Sequence, residues 1–194
     1  MIISVNMSDK EFSNQPKFPD VPLVTERDEV IGRCQLSEVR ERNLPGRVAR
    51  VLLTSNKFVL LQERSMTVDQ GGVLDCSSDG WVDYEDASGV GEMGDYRAAA
   101  VRETKEELGL SIAREDLTEI AHYLFESVIV NTPEWTKLFV VEYQPEKHGE
   151  IKPNEEVTNT EWIELTEAQR LSEHEPERFE LGTPLALAKL AMRQ

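Results

Sequence analysis

Residues 102–110, RETKEELGL, bring Arg102, Glu103, Glu106 and Glu107 together within one and a half helical turns. At about 100° per residue, Glu103, Glu106 and Glu107 share an arc of roughly 100°. Ala99 and Ala100, one turn earlier, fall on the same side, and Val101, Thr104 and Leu108 fall opposite. The pattern predicts a helix that packs Val101, Thr104 and Leu108 on a sheet and presents carboxylates beside small residues on its other face. Glu103–Glu106 and Glu103–Glu107 are like-charge neighbours, each costing an isolated helix about 0.2–0.5 kcal/mol. Arg102, four residues before Glu106, offsets only part of that cost. Two chemistries suit such a face, a solvated acidic surface or a divalent cation. Mg²⁺ takes carboxylate and water oxygens and shares its shell with substrate phosphates.

The spacing matches the core of the Nudix box, G-x5-E-x7-R-E-U-x-E-E-x-G-U, where U is a bulky aliphatic. Arg102, Glu103, Glu106, Glu107, Gly109 and Leu110 all stand in register. The sequence therefore resembles the Nudix hydrolase superfamily, over roughly residues 23–190. Within it, the segments ERDEVIGRCQLSEVRERNL and LDCSS look most like the branch of type I isopentenyl diphosphate isomerases and their hydrolase-like relatives. The resemblance implies a mixed α/β (α+β) fold, an α/β/α sandwich around a mixed central sheet. It also implies a hydrolase acting on the phosphoric anhydride of a nucleoside-diphosphate-X or related small diphosphate.

Carried over by position, Glu103, Glu106 and Glu107 bind Mg²⁺ or Mn²⁺, and Glu103 activates water. Arg102 holds a box carboxylate in place, Glu106 or Asp95. A carbonyl near Gly80 is a further candidate ligand. From a later loop, Glu156 is expected to add a metal-binding carboxylate, with Glu155 beside it and Glu126 behind. Arg64, ending a strand, either contacts a phosphate or pairs with Glu63 at the surface. Trp81 either stacks on a base or covers the pocket.

Several positions depart from the pattern. Eight residues before Arg102, where the box has glutamate, stands Gly94. The reading adopted from sequence gives that role to Asp95, with Gly89 as the opening glycine and WVDYEDAS as an insertion ahead of it. Thr104 occupies a bulky-aliphatic position. Isomerase chemistry needs a cysteine, a glutamate and a histidine-rich metal site. Here Ser78 stands two residues after Cys76 where the isomerases have histidine, and NLPGRVAR also lacks one. Cys76 reads as a small buried residue. A prenyl-diphosphate isomerase and a Nudix-fold binding module are the alternatives to a hydrolase.

The elements that must position these residues are legible in outline. LVTERDEVIGRC predicts two short strands around a turn at Asp28 and Glu29, and SEVRERNL a short helix capped by Ser37. RVARVLLT and KFVLLQER, separated by SN, predict a hairpin. Short strands are expected at Val73–Cys76 and Gly80–Val82, within a stretch dominated by Gly, Asp and Ser. Residues 97–108 predict the helix, closed by Gly109. DLTEIAHYLFESVIV, TKLFVVEYQ and EVTNTEWIEL predict later strands, with Trp162 in the core. Trp135 is expected on a turn. TEAQRLSE and TPLALAKLAMR predict two helices, capped by Thr166 and Thr183. Residues 1–20 read as a tail or arm and 21–194 as one domain.

With 21 Lys and Arg against 37 Asp and Glu, the formal net charge is −16. Such a surface repels nucleic-acid polymers and anionic membranes. The start MIISVNMSDKEF is not expected to be a signal peptide, and no apolar run nears the ~18 residues of a membrane span. Cys34 and Cys76 form no metal-binding pattern, and His122, His148 and His174 are scattered. A reduced, cytoplasmic protein acting on a small-molecule diphosphate is expected, with a homodimer left open.

Overall fold

The computed structural model describes residues 19–89, 92–126 and 132–193. Most of the expected tail at 1–20 lies outside them, as do residues 127–130 of the predicted DLTEIAHYLFESVIV strand. The chain runs β1 (Asp20–Val24), β2 (Val30–Gln35), α1 (Leu36–Arg42), β3 (Gly46–Ser55) and β4 (Phe58–Arg64). It continues through β5 (Leu74–Asp75), β6 (Ser78–Trp81), β7 (Ala87–Gly89), β8 (Glu92–Met93) and α2 (Tyr96–Leu108). The last part holds β9 (Thr118–Phe125), β10 (Glu134–Glu142), α3 (Pro145–His148), β11 (Val157–Glu164), α4 (Leu165–His174) and α5 (Thr183–Ala191).

The central sheet has the order β11-β4-β3-β10-β9, with β5 on β4 and β6 on β3. β3 and β10 are parallel and the other pairs antiparallel, so the sheet is mixed. Both faces are covered. Ala49, Val51 and Leu53 of β3 pack with Ala99, Ala100 and Leu108 of α2, while Leu52 packs with Leu165 of α4 and Leu187 of α5. Burial on both faces explains why RVARVLLT is nearly continuously apolar instead of alternating. The layers are those of the expected α/β/α sandwich.

β3 and β4 stay paired for only two registers next to their turn, Thr54 with Val59 and Ser55 with Phe58. Beyond it they part, and β6 and β5 take up their inner edges. Ser77, fully buried, spans the split: its Oγ accepts from Leu53 N at 2.8 Å and donates to Leu60 O at 2.6 Å.

Predicted boundaries shift in places. β1 begins at Asp20, inside the expected arm. α1 begins at Leu36 with Gln35 at its N-cap, so Ser37 is not the cap. α4 follows Glu164, leaving Thr166 inside the helix. Thr183 is the first residue of α5 and its hydroxyl donates to Asp75 Oδ1 at 2.7 Å, a long-range partner that outcompetes a local cap. Trp135 lies in β10 and not on a turn, because it continues the ladder opposite Leu124. Trp162 packs beside the core as expected.

Candidate active site

α2 begins at Asp95, whose Oδ1 accepts from Ala98 N at 2.8 Å, and ends at Gly109 with φ +70°. Thr104 and Leu108 are buried and Val101 packs against the core, as predicted, but the packed face is wider than expected. Ala99, Ala100 and Glu107 are buried together with Thr104 and Leu108, and Glu103 is mostly buried, its side chain 14% exposed. Only Glu106 reaches outward, at 56%. The packed face thus extends from Leu108 and Thr104 round to Glu107 and Glu103. Thr104 fits where an aliphatic was expected because its hydroxyl donates to Ala100 O and meets Ser78 Oγ, at 2.7 and 2.8 Å.

Gly80 lets Glu103 in. A Cβ at this position would stand 2.1 Å from Glu103 Oε1, so no larger residue fits with that carboxylate in place. Glu107 Oε2 accepts from Asp79 N at 3.2 Å and from Gln62 Nε2 at 3.3 Å. The β6 strand thus contacts both carboxylates, and β4 reaches Glu107 as well.

Arg102 is held by Asp86, not Asp95. Its Nε donates to Asp86 Oδ1 at 3.1 Å and its Nη2 to Asp86 Oδ2 and Trp81 O, each at 2.9 Å. Nη1 meets Glu103 Oε1 at 2.7 Å and Glu106 Oε2 at 3.1 Å. Asp95 instead caps α2 and pairs with Arg114 at 2.8 Å. Gly80 and Asp86 stand in the G-x5-E spacing of the box, which makes Gly80 the opening glycine in place of Gly89. Fifteen residues, not seven, then separate Asp86 from Arg102. The surplus is the β7–β8 hairpin, so the insertion follows Asp86 instead of preceding Gly89.

A cavity of about 630 Å³ opens against this face and is lined by Glu103, Glu106, Glu107, Arg102, Trp81, Arg64 and Glu156. These seven residues expected from sequence therefore border one space. Glu155 and Glu126 do not line it. Arg64 does not pair with Glu63: its Nη1 meets Asp75 Oδ2 at 2.6 Å and Asp79 Oδ1 at 3.3 Å. Trp81 has the Arg40 guanidinium 6.0 Å from its ring centre. Cys76 is fully buried, and burial pushes its thiol well up, out of reach of proton transfer near neutrality.

Sequence reasoning missed the floor. Arg50, only 2% exposed, donates from Nη1 to Glu180 Oε2 at 2.6 Å, with Asp79 and Asp75 at 3.3 and 3.6 Å. Its Nη2 lies 3.5 Å from Glu134. These residues are scattered over 130 positions, and no local spacing links them. The lone arginine inside the apolar run RVARVLLT was the available signal, since a buried arginine requires buried acids.

The electrostatics reflect excess negative charge. Burial, only partly countered by Arg102, pushes the Glu103 carboxyl up to about 7. Burial, then Asp79 and Glu103, push Glu107 well up. Burial and Asp75 likewise raise Asp79. Burial opposes ionisation of Asp75 too, but Arg50 and Arg64 hold it below the ordinary range.

Among the described residues no three acid, His or Cys side chains are already gathered around one cation position. Arg102 Nη1 engages both Glu103 and Glu106. The donor set nevertheless fits a hard divalent ion: it is all oxygen and under-neutralised. Among the described residues Gln62 Oε1, buried beside Glu107, lacks a partner, and Glu106 is exposed with only Arg102 holding its carboxylate.

Residues 44–182 match the family described as NUDIX domain. The chain belongs to the Nudix family. No curated protein matches it by sequence. Several solved structures share its fold. DR0079 of Deinococcus radiodurans has a TM-score of 0.65 at 21% identity, over 88% of this chain and 98% of that one. A C. elegans Ap4A hydrolase has 0.51 at 22%, over 76% and 96%. A bifunctional NMN adenylyltransferase/ADP ribose pyrophosphatase of Francisella tularensis, solved with AMP and a manganese ion, has 0.54 at 17%, over 77% and 41%. At these identities the likeness is one of fold. As a Nudix enzyme, the protein is a pyrophosphohydrolase. No helix among the described residues of this Nudix chain is long and apolar enough to cross a membrane.

Proposed function

We propose that the protein hydrolyses the diphosphate linkage of a small nucleoside-diphosphate-X or related diphosphate, with Mg²⁺ or Mn²⁺. The observation that carries this reading is the convergence of Glu103, Glu106, Glu107 and Glu156 on one cavity, with Arg102 fastened behind them. Glu103, Glu106 and Glu107 would hold the cation, with Glu156 reaching in from the loop before β11. A cation there neutralises phosphate oxygens and makes bound water more acidic. The chain's own groups do the remaining work. Glu103, bordering the cavity beside the candidate cation position, is placed to take a proton from the attacking water. Arg102, pinned by Asp86 and Trp81 O, orients Glu103 and Glu106. Arg64 uses Nε and Nη1 within the protein, leaving Nη2 without a partner among the described residues and available to a phosphate. Trp81 covers one side of the cavity.

The likeness to the isomerase branch is carried no further than overall design. A thiol sealed in the core at Cys76 suits structure and not allylic proton transfer. Residues 21–194 are taken as one functional unit. The unpaired thiols of Cys34 and Cys76 suit a reducing, cytoplasmic setting.

The test is a hydrolysis screen of nucleoside triphosphates, ADP-ribose, nucleotide sugars, dinucleoside polyphosphates and isopentenyl diphosphate, with Mg²⁺ and separately Mn²⁺. Metal-dependent cleavage is expected, and Glu106→Gln should remove it. Glu106 is the most exposed of the three glutamates, so this change perturbs folding least. Tight binding without cleavage across the panel would instead favour a binding module.

A further inference from the structure

The cavity extends beyond the carboxylates of α2 to a wall built by four adjacent strands. β6, β3, β10 and β9 run side by side, and Trp81, Val48, Glu134 and Phe125 come from them in that order and line the space. Trp81 is the direct partner of Val48, and Phe125 the direct partner of Glu134. The Glu134 carboxylate therefore stands between Val48 and Phe125 in the wall, with Trp81 beyond Val48.

Glu134 is 15% exposed, and among the described residues its one polar contact is Arg50 Nη2 at 3.5 Å, too long for a firm hydrogen bond. Arg50 borders the same cavity. Its side chain is only 2% exposed and is engaged with Glu180, Asp79 and Asp75, so Glu134 is the more accessible of the two. The wall thus offers an acceptor in need of a donor. A buried polar group left in that condition costs stability or binding unless a ligand completes it.

Resting on the hydrolase reading, we propose that Glu134 selects the non-phosphate half of the substrate. Glu134 accepts a hydrogen bond from an O–H or N–H of that group. The substrate is then a diphosphate joined to a group that carries a hydrogen-bond donor, and Trp81 and Phe125 supply the apolar surface against its ring. A hydrocarbon chain placed here would leave the carboxylate unsatisfied and be rejected. Two sources share the chemistry, the hydroxyls of a ribose and the amino-bearing edge of a base.

The test measures binding by calorimetry, with turnover alongside, for ADP, 2′-deoxy-ADP, inosine diphosphate and isopentenyl diphosphate, all with Mg²⁺. The native protein should prefer ADP to isopentenyl diphosphate by at least about tenfold in Kd, and Glu134→Gln should reduce that preference about tenfold, as expected for one charge-assisted hydrogen bond. Weakened binding of 2′-deoxy-ADP assigns the contact to the sugar, and weakened binding of inosine diphosphate assigns it to the base. A Glu134→Asp variant keeps the charge beside Arg50 and covers the case in which the glutamine unsettles that arginine. The proposal is overturned if the substitutions weaken all four ligands alike, or if the native protein binds isopentenyl diphosphate as tightly as ADP. Binding without turnover of these four ligands still decides the role of Glu134, and the hydrolase reading itself falls only if the whole hydrolysis panel goes uncleaved.

Discussion

Arg102 and Asp86 meet in a two-pronged ion pair, Nε to Oδ1 at 3.1 Å and Nη2 to Oδ2 at 2.9 Å, across a hairpin inserted between them in the chain. Such paired contacts fix orientation as well as charge. Asp86→Ala should free Arg102 and lower kcat at least tenfold. Asp95→Ala removes only the helix cap and the Arg114 pair. It should cost about 1 kcal/mol of stability and leave kcat within about twofold. Steady-state kinetics and thermal melts on both variants separate the two acids; equal kcat losses would return the orienting role to Asp95.

Gly80→Ala places a methyl on Glu103 Oε1. The obstacle is the tip of a side chain, which can swing aside, so the fold should survive with a Tm within a few degrees. The displaced carboxylate should cost at least tenfold in kcat. A variant as active as the parent would show that Glu103 need not occupy its observed position.

The metal-free protein should lose stability as pH rises. Glu103 has an ordinary value of 4.5 and is pushed up to about 7 by burial. Between those values the folded state holds a proton the unfolded chain has released, and stability falls with rising pH. Added Mg²⁺ should restore it most strongly above about pH 7, where no proton competes for the carboxylate. Thermal melts in EDTA and in Mg²⁺ from pH 5 to 8 give the two curves. A metal-free Tm that climbs across this window would contradict the assigned burial of Glu103.

Arg50→Met should be far more damaging than its cavity position suggests. It leaves Asp75, Asp79, Glu134 and Glu180 without their shared guanidinium, and breaking a buried ion pair costs about 3–5 kcal/mol. Urea unfolding measures the loss. A change under about 1 kcal/mol would mean that these acids are protonated or hydrated in the native state.

The box helix could be read from the chain alone because its determinants are local. Carboxylates, arginine and terminal glycine stand at fixed helical spacing, and the resemblance they carry implied the sandwich around the sheet. The same local reading placed Thr104 and Leu108 correctly but missed how far round the helix burial extends. Small Ala99 and Ala100 suggested open space, whereas in the structure they let the sheet approach closely and carry Glu103 and Glu107 into the interior.

What the sequence by itself determined was the family, the sandwich architecture and the candidate metal-binding carboxylates, since each depends on residue types a few positions apart. Tertiary structure alone decided that Asp86 holds Arg102 and that Arg50 gathers acids from four separate segments. It also placed Glu134 in the wall of the cavity. Partners drawn from distant parts of the chain are chosen by packing and by the need to neutralise buried charge, and neither leaves a spacing to count.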